Sequence, residues 1–244
     1  MLTQGTANAG DSIFYDYRIN HSCRFDEASY LSKTFPQNNG TSSFTFSVWI
    51  KRSGLSSLMN IISAKNSNTN SSNLSITASD TLVTDKPGVN FHSLPNVLRD
   101  TGSWYHIVIN YNGTASSIYI NGVGSTGSAV TYGNINSNVL HVIGASSQFT
   151  AINYFNGYMA NLQFIDGQAL DPYFFGEMRN NIWIPYNAFT TANSNSVDAR
   201  SSNGSIADDN YGDNGFHLLF DDPGHATGFG KDSSGKWNHF IESP

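Results

Sequence analysis

Aromatic side chains are the residues of this chain best suited to binding a ligand, since aromatic residues make up 13% of it and four are tryptophans. Aromatic rings can stack on sugar rings, while asparagine, aspartate and backbone amides can fix sugar hydroxyls. Trp49 and Trp104 lie on strong strand patterns, which favours packing inside the protein. Trp183 and Trp237 lie near irregular segments, where contact with a sugar and contact with another subunit are equally open. The candidate carbohydrate-binding residues are therefore Trp183, Trp237, Tyr211 and Asn214.

Carboxylates are the second group that could do chemistry. Hydrolysis of a glycosidic bond needs two of them, about 5–5.5 Å apart for retention or about 6.5–9.5 Å apart for inversion. The glutamates of the chain are Glu27, Glu177 and Glu242, each isolated in a loop or at the end of a strand pattern. No strand carries acidic residues at every second position, which is how one face would hold a pair. We therefore expect no catalytic residues and no enzyme activity.

Among metal ions, the residues of this chain suit only a hard cation such as calcium. The seven histidines are dispersed without ligand spacing, and His106, in the middle of a strand pattern, is best explained as a structural residue. Aspartates cluster near the C-terminus, and calcium prefers such oxygen ligands. Asp208, Asp209 and Asp213 are the candidate calcium ligands, with a solvated acidic loop as the alternative. The chain requires no other cofactor, and its single cysteine, Cys23, excludes an internal disulfide.

Composition excludes several classes of partner. Charged residues make up only 12% of the chain, and its formal net charge is −6. It has no basic stripe, so nucleic-acid binding is not expected. It has no apolar run of about 18 residues, so membrane insertion is not expected either. The N-terminus lacks the basic and apolar regions of a secretory signal, which favours synthesis in a cytoplasm.

Alternating apolar and polar residues predict an all-β protein. In FTFSVWIKR, Phe44, Phe46, Val48 and Ile50 point one way and the residues between them point the other. WYHIVINYNG, SIYI, LHVIGA and YFNGYMANLQFIDG follow as further strands, with core members predicted at Tyr158, Leu162 and Phe164. Shorter strands are predicted over residues 58–64 and 73–77, with a surface loop between them. FHLLF is a further strand in the C-terminal part of the chain.

Turn residues separate these strands. The pair Asn121-Gly122 predicts a tight hairpin, because both residues accept a positive φ. Asp171 followed by Pro172 predicts one helical turn with an aspartate cap. In IWIPY, Pro185 limits the segment to an edge or a short strand.

The chain divides into a short arm, residues 1–20, and one β-sandwich, residues 21–244. The arm carries an aromatic patch of Ile13, Phe14, Tyr15 and Tyr17. We expect this patch to anchor the sandwich to a neighbouring subunit or a larger assembly, and a frayed terminus is the alternative. The C-terminal part holds too little core for a second domain, so we expect it to return to the same sandwich.

The chain resembles the laminin-G-like, concanavalin A-like jelly-roll domains of tailed-bacteriophage virion proteins. The runs that carry the resemblance are, in order, CRFDEASYLSKTF, FTFSVWIKR, WYHIVINYNG, IYINGV, HVIGA, YFNGYMANLQFIDGQALDPYFFGE, IWIPY, YGDNGFHLLFDD and GKDSSGKWNHF. FIDGQAL, FGE, YGDNGF and GKDSSG are the most specific of these. Where the family pattern has an acidic residue near the GY strand, this chain has Asn156 and Asn161.

The resemblance implies a two-sheet antiparallel jelly-roll sandwich that serves as a fibre or decoration protein on the exterior of a virion. Its partners would be capsid or tail proteins, other copies of itself, with a trimer favoured, and a glycan of the host surface. It also implies a structural calcium as an option. A stand-alone soluble lectin is the alternative, and a glycoside hydrolase is the least favoured one.

Overall fold

The computed structural model describes residues 17–40, 42–67, 70–86, 89–129, 132, 134–146, 152–186 and 211–243. Two short 3-10 helices, Pro172–Phe174 and Gly228–Gly230, are the helices of this part of the chain, and neither has the length or apolar character needed to cross a membrane. The described strands, in chain order, are β1 (Cys23–Asp26), β2 (Tyr30–Thr34), β3 (Phe44–Arg52), β4 (Met59–Ser67), β5 (Asn70–Ile76), β6 (Thr81–Lys86), β7 (Val89–Val97), β8 (Tyr105–Tyr111), β9 (Ala115–Ile120), β10 (Val123–Ala129), β11 (Leu140–Ile143), β12 (Asn156–Asp166), β13 (Gly176–Arg179), β14 (Ile182–Pro185), β15 (Phe216–Leu218) and β16 (Ile241–Ser243).

Two antiparallel seven-stranded sheets form the molecule, which confirms the all-β, jelly-roll prediction. The first sheet has the order β1-β12-β3-β8-β9-β10, with β15 also paired to β12. The second has the order β16-β2-β11-β4-β5-β6-β7. The hairpin β13-β14 stands apart as a two-stranded sheet. Because β15 pairs with β12 in the first sheet and β16 pairs with β2 in the second, residues 211–243 complete the same two sheets.

An aromatic core fills the space between the sheets. Phe35 lies at its centre, with ring centroids 5.5 Å from Phe164, 5.9 Å from Phe216 and 6.5 Å from Phe240. All four rings are fully buried. Burying a phenylalanine side chain contributes about 1.5–3 kcal/mol, so the cluster is a large part of the driving force for closing the sandwich.

Strand β3 follows the predicted alternation, yet both of its faces are buried. Phe44, Phe46, Val48 and Ile50 enter the core between the sheets, as predicted. The opposite face is covered by the chain that follows β12. There the Thr45 hydroxyl donates a hydrogen bond to the backbone of residue 168 and accepts one from the backbone of residue 170. The first sheet therefore has a second, outer layer of packing.

The predicted core position of Tyr158 on β12 is wrong, because a β-bulge changes the phase of the strand. Asn161 has a left-handed backbone with φ 46°, and the pairing with β3 shifts between Ala160 and Gln163. Met159 therefore enters the core, whereas Tyr158 is 37% exposed. Leu162 and Phe164 are core residues, as predicted.

The surface loop predicted between residues 64 and 73 is also wrong. β4 and β5 extend through much of that segment and pair with each other there. Serine and asparagine fit these strands because cross-strand pairing, more than side-chain type, decides strand formation. Strands β6 and β7 were not predicted at all.

Three turn predictions are confirmed. Asn121 and Gly122 have φ of 51° and 75° and join β9 to β10. Asp171 caps the turn at residues 172–174 by accepting a hydrogen bond from the backbone of Tyr173 at 3.0 Å. Pro185 ends the short strand β14.

Candidate functional site

A cleft of about 680 Å³ opens on the outer face of the first sheet. Its floor comes from β3 and β12, where Trp49 pairs with Ala160 across the strands. One wall is the N-terminal strap, defined as residues 17–22, which precedes β1. The other walls come from the loop before β8 and the end of β14. The lining residues are Tyr17, Arg18, Ile19, Asn20, His21, Ser22, Trp49, Trp104, Ala160 and Pro185.

The strap is fixed by alternate residues. The Tyr17 hydroxyl donates to Oδ1 of Asn161 at 3.3 Å, and burial raises the pKa of this tyrosine, which keeps the hydroxyl a donor. Ile19 packs against the cluster of Trp49, Ala160 and Trp183. Arg18, which lies between these two anchors, and Asn20, which follows them, are exposed. The strap therefore presents polar side chains while its apolar side chains bind it to the sheet.

Trp49 forms the floor of the cleft. Its ring stacks on His106 at 4.8 Å with an interplanar angle of 21°, and its side chain is 6% exposed. This confirms that Trp49 is buried, but it lies outside the first sheet and not between the two sheets. Its indole N–H has no hydrogen-bond partner in the described structure. A buried donor without a partner costs about 1–3 kcal/mol.

Trp104 is more exposed than its sequence position predicted, at 37%, and it lies before β8 and not within it. Its loop is fixed by Asp100, which accepts hydrogen bonds from the Gly102 backbone at 2.8 Å and the Ser103 hydroxyl at 2.5 Å. The Asp100 backbone donates to the Tyr105 hydroxyl at 2.9 Å. An exposed indole on a fixed loop can receive a flat ligand with little loss of conformational entropy.

A hydrogen-bonded row lies beneath the cleft. The indole N–H of Trp183 donates to Nδ1 of His106 at 2.9 Å, and Nε2 of His106 lies 2.9 Å from Oγ of Ser47. Because an indole nitrogen only donates, Nδ1 must be the acceptor and Nε2 must carry the proton of the neutral ring. Burial lowers the pKa of His106 to about 3, so the ring stays neutral. Ser47 therefore accepts from this histidine and cannot be activated by it as a nucleophile.

Three of the four predicted sugar-contacting residues lie in the interior, which removes them from that role. Trp183 is 9% exposed and its indole nitrogen is engaged with His106. The Tyr211 hydroxyl donates to Oε1 of Gln163 at 2.9 Å. Asn214 is fully buried and exchanges hydrogen bonds with the backbone of Gln37. The irregular segments near these residues pack over the outer face of the first sheet, which a position near such a segment in the sequence does not reveal.

Trp237 is the one predicted sugar-contacting residue that is open to solvent, at 78% exposure. Its backbone is left-handed with φ 61°, a strain of about 1–3 kcal/mol for a bulky residue. Asp232 holds the loop by accepting from the backbones of His217, Ser234 and Asn238, each at 2.8 Å. Trp237 does not line the cleft, and its role as a ligand or oligomer contact stays a prediction.

Two of the motifs that carry the family resemblance each contain an aspartate that accepts hydrogen bonds from several segments of the chain. Asp166 of FIDGQAL accepts hydrogen bonds from the side chains of Asn39 and Asn136 and from the backbone of Asn214 in YGDNGF. Asp232 of GKDSSG organises the loop that carries Trp237. Each of these carboxylates accepts several hydrogen bonds from other segments of the sandwich and so holds those segments together.

The predicted calcium ligands are not brought together in the described part of the chain. Asp208 and Asp209 lie outside the described residues. Asp213 is exposed, and its backbone carbonyl accepts a hydrogen bond from the Asn238 amide. No described group of three or more His, Cys, Asp or Glu residues could hold a metal ion.

The predicted anchor residues are only partly described. Ile13, Phe14 and Tyr15 lie outside the described residues. Tyr17 is half-buried and donates a hydrogen bond to Asn161 of its own sandwich, and its role as an anchor stays a prediction. Of the predicted arm, residues 17–20 belong to the wall of the cleft.

The glutamates are separated on three elements. Glu27 lies in the turn after β1 with φ 69°. Glu242 accepts from the backbone of Phe229 at 2.6 Å. Glu177 is buried and forms an ion pair with Arg179 at 2.7 Å. Glu177 and Asp171 line a smaller hollow of about 360 Å³, but there Asp171 caps its own turn.

Carboxyl groups with a clearly shifted pKa in the described structure are Asp26, Asp80, Asp100 and Asp222, and all four are lowered. Hydrogen bonds to the charged form account for this at Asp26, Asp100 and Asp222, led by Ser29, Ser103 and Lys231 respectively. A general acid for glycoside hydrolysis requires a shift in the opposite direction.

Two antiparallel sheets, an aromatic core between them and a cleft on the outer face of one sheet define a concanavalin A-like β-sandwich. The chain belongs to the concanavalin A-like lectin/glucanases superfamily, whose family pattern matches residues 25–172, more than half of its length. The match includes the tryptophans of the cleft but not the strap. No curated protein sequence matches the chain.

Solved structures with the same fold include domain 4 of AbnA, an extracellular arabinanase from Geobacillus stearothermophilus, in complex with arabinotriose. It is 18% identical, with a TM-score of 0.51, over 65% of this chain and 76% of that one. A candidate carbohydrate-binding protein from Bacteroides ovatus is 16% identical, with a TM-score of 0.50, over 91% of this chain and 58% of that one. NanB sialidase from Streptococcus pneumoniae is 16% identical, with a TM-score of 0.50, over 62% of this chain and 26% of that one. Identities this low show the shared fold alone.

Proposed function

We propose that this chain is a non-catalytic, glycan-binding domain displayed on the exterior of a phage particle. The observation that carries the glycan-binding role is the cleft, in which Trp49 and the exposed Trp104 share one opening with the polar side chains of the strap. Ligand sites combine aromatic surface with a few polar groups in a volume of about 300–1,000 Å³. The cleft has this composition and this size.

Fold relatives support a saccharide as the ligand. The AbnA domain was solved with arabinotriose, and the Bacteroides ovatus protein is described as carbohydrate binding. The absence of catalysis is supported by the histidine beneath the cleft, which cannot serve as a base, and by the lowered pKa of the shifted carboxyl groups in the described structure.

The particle location is supported by the resemblance of the FIDGQAL, YGDNGF and GKDSSG runs to virion proteins. On a particle, several copies would bind a host surface together, and multivalency converts weak sugar contacts into firm adhesion. Symmetric self-association, with a trimer favoured, would provide those copies.

Isothermal titration with host surface polysaccharide tests the glycan role. Trp104→Ala should weaken binding at least tenfold, because the stacking surface is lost. Trp237→Ala is the matched control, since it removes an exposed tryptophan outside the cleft, and it should bind within twofold of the unaltered protein. Equal unfolding midpoints in urea would show that both variants fold. Full affinity in Trp104→Ala would refute the cleft as the site.

A truncation tests the particle role separately. Removal of residues 1–16 leaves the strap in place, so glycan affinity should persist while incorporation into particles is lost. Glycan binding by a protein that never co-purifies with particles would instead support the soluble lectin. Incorporation at the normal level after truncation would refute anchoring by the arm.

A further inference from the structure

The charge of the cleft is opposite to the charge of the chain. The chain carries 18 acidic and 12 basic residues, for a net charge of −6. Arg18 and His21 nevertheless line the cleft, and its lining residues include no aspartate or glutamate. Both side chains are exposed, and no ion pair joins Arg18 to a carboxylate of the described residues.

The cationic surface continues along the strands beside the cleft. Tyr158 pairs with Arg24 on one side and with Lys51 on the other. Tyr158 lies two residues from Ala160 on β12, and Lys51 lies two residues from Trp49 on β3. Two residues span about 7 Å along a strand and share one face of the sheet. A band of Arg24, Tyr158 and Lys51 therefore borders the cleft floor on the same face.

Arg24 is held in place without an acidic partner. Its guanidinium carbon lies 5.4 Å from the centre of the Tyr158 ring. Its two terminal nitrogens donate to the backbone of Gly157 at 3.2 Å and to Oδ1 of Asn156 at 2.7 Å. An acidic residue at position 156 would neutralise this cation, and asparagine leaves the charge in place.

Two carboxylates beside this face, Asp26 and Asp100, keep their negative charge but are oriented by hydrogen bonds within their own turns. Asp26, the next outward residue on β1, accepts from the backbones of Ala28 and Ser29 at 3.2 and 3.1 Å. Asp100 accepts from the loop before Trp104 and offsets part of the charge of Lys51. The guanidinium groups of Arg18 and Arg24 therefore remain available to bind an anionic group.

We propose that the ligand of the cleft is an anionic glycan, a saccharide whose carboxylate or sulfate groups bind Arg18 and Arg24 while its rings stack on Trp104. This inference rests on the proposed glycan-binding function and names its ligand class. Hydrogen bonds between a guanidinium and an anionic oxygen are about twice as strong as neutral ones, so the acidic group decides which glycan binds.

Titration with two matched pairs of oligosaccharides tests the inference. One pair is hexagalacturonate and its methyl ester, and the other is sulfated cellohexaose and cellohexaose. The anionic member of at least one pair should bind at least tenfold more tightly than its neutral partner. The pair that shows the difference distinguishes carboxylate from sulfate. Its affinity should fall with added sodium chloride, because salt screens exposed charges.

Variants locate the charge effect. Arg18→Gln should weaken binding of the anionic member at least fivefold and weaken binding of the neutral member by a clearly smaller factor, so that the difference within the pair shrinks. Lys236→Gln, which removes a charge from a loop outside the cleft, should change neither. Equal affinities within both pairs would overturn the anionic ligand and leave glycan binding standing. No binding of any of the four oligosaccharides would count against both proposals.

Discussion

The indole nitrogen of Trp183 lies 2.9 Å from Nδ1 of His106 and donates a hydrogen bond to it. This contact joins the hairpin β13-β14 to strand β8, residues 77 positions apart. It fixes the tautomer of His106 and, through it, the role of Ser47 as an acceptor. A serine and a histidine 2.9 Å apart can suggest a catalytic pair. Here the bond from Trp183 holds His106 in the tautomer that donates to Ser47, so the histidine cannot take a proton from the serine.

Trp183→Phe should destabilise the protein by about 1–3 kcal/mol, since it leaves a buried acceptor on His106 without a donor. Urea unfolding monitored by circular dichroism measures the change. Trp237→Phe removes an exposed indole and serves as the control, with an expected change below about 0.5 kcal/mol. Equal stability of the two variants would show that the buried hydrogen bond contributes little.

Acidification should destabilise the protein between pH 6.5 and pH 4. Burial lowers the pKa of His106 to about 3, and of His141 and His217 to about 4. In the unfolded chain each histidine takes up a proton near pH 6.5, so below that pH the unfolded state binds more protons and stability falls. The full stabilisation is present above pH 6.5. Below that pH each of the three histidines lowers the free energy of unfolding by up to about 1.4 kcal/mol per pH unit, which makes roughly 4 kcal/mol per pH unit in total.

Urea midpoints at pH 7.5, 6 and 5 measure this loss. His217→Gln should reduce the slope by roughly a third. Stability that stays constant from pH 7 to pH 5 would contradict the assignment of these histidines as buried and neutral.

Breaking the buried ion pair between Arg52 and Asp80 should cost about 3–5 kcal/mol. Nη2 of Arg52 lies 2.9 Å from Oδ1 of Asp80, and both side chains are buried. Burial alone would raise the pKa of Asp80, but hydrogen bonds from Arg99, Ser56 and Arg52 lower it to about 2. Arg52→Met leaves a buried carboxylate with one partner fewer, and thermal unfolding measures the loss.

Arg99 provides the comparison for that pair. It contacts the same carboxylate at 2.8 Å, but its side chain is 60% exposed. Arg99→Gln should therefore cost less than about 1 kcal/mol, as exposed ion pairs do. A larger effect from Arg99 than from Arg52 would contradict the difference in burial.

Hydrolysis of host polysaccharide should not occur, and Asp171→Asn and Glu177→Gln should not change that result. These two residues line the same hollow, but one caps a turn and the other pairs with Arg179. A reducing-sugar assay measures the outcome, with a glycoside hydrolase of known activity as the positive control. Sugar release that disappears in either variant would refute the non-enzymatic assignment.

The strands could be predicted from the sequence wherever side chains alternate without interruption. Phe44, Phe46, Val48 and Ile50 show this for β3. Tyr158 shows the limit, because a single left-handed residue, Asn161, inverts the inward and outward positions of β12. Alternation predicts which side chains of a strand face the core, but it does not predict that another segment covers the opposite face. The packing of the residues after β12 on the outer face of the first sheet therefore could not be predicted from the sequence.

The candidate site was not predicted, because it is assembled from distant segments. Trp49 and Trp104 were assigned to the interior on their strand patterns alone. The strap, the β3 floor and Pro185 meet only after the first sheet has formed. A sequence signal did exist: Trp104 directly follows the turn-forming residues Gly102 and Ser103, which places it at a strand end where side chains reach solvent.

Titration of a 15N-labelled sample with host surface polysaccharide tests the central claim most directly. The indole N–H signals of Trp49, Trp104, Trp183 and Trp237 can be assigned with single Trp→Phe variants and followed one by one. We expect the signals of Trp49 and Trp104 to shift with a common dissociation constant, while the signal of Trp237 stays in place. A shift confined to Trp237, or no shift in any of the four, would contradict glycan binding in the cleft.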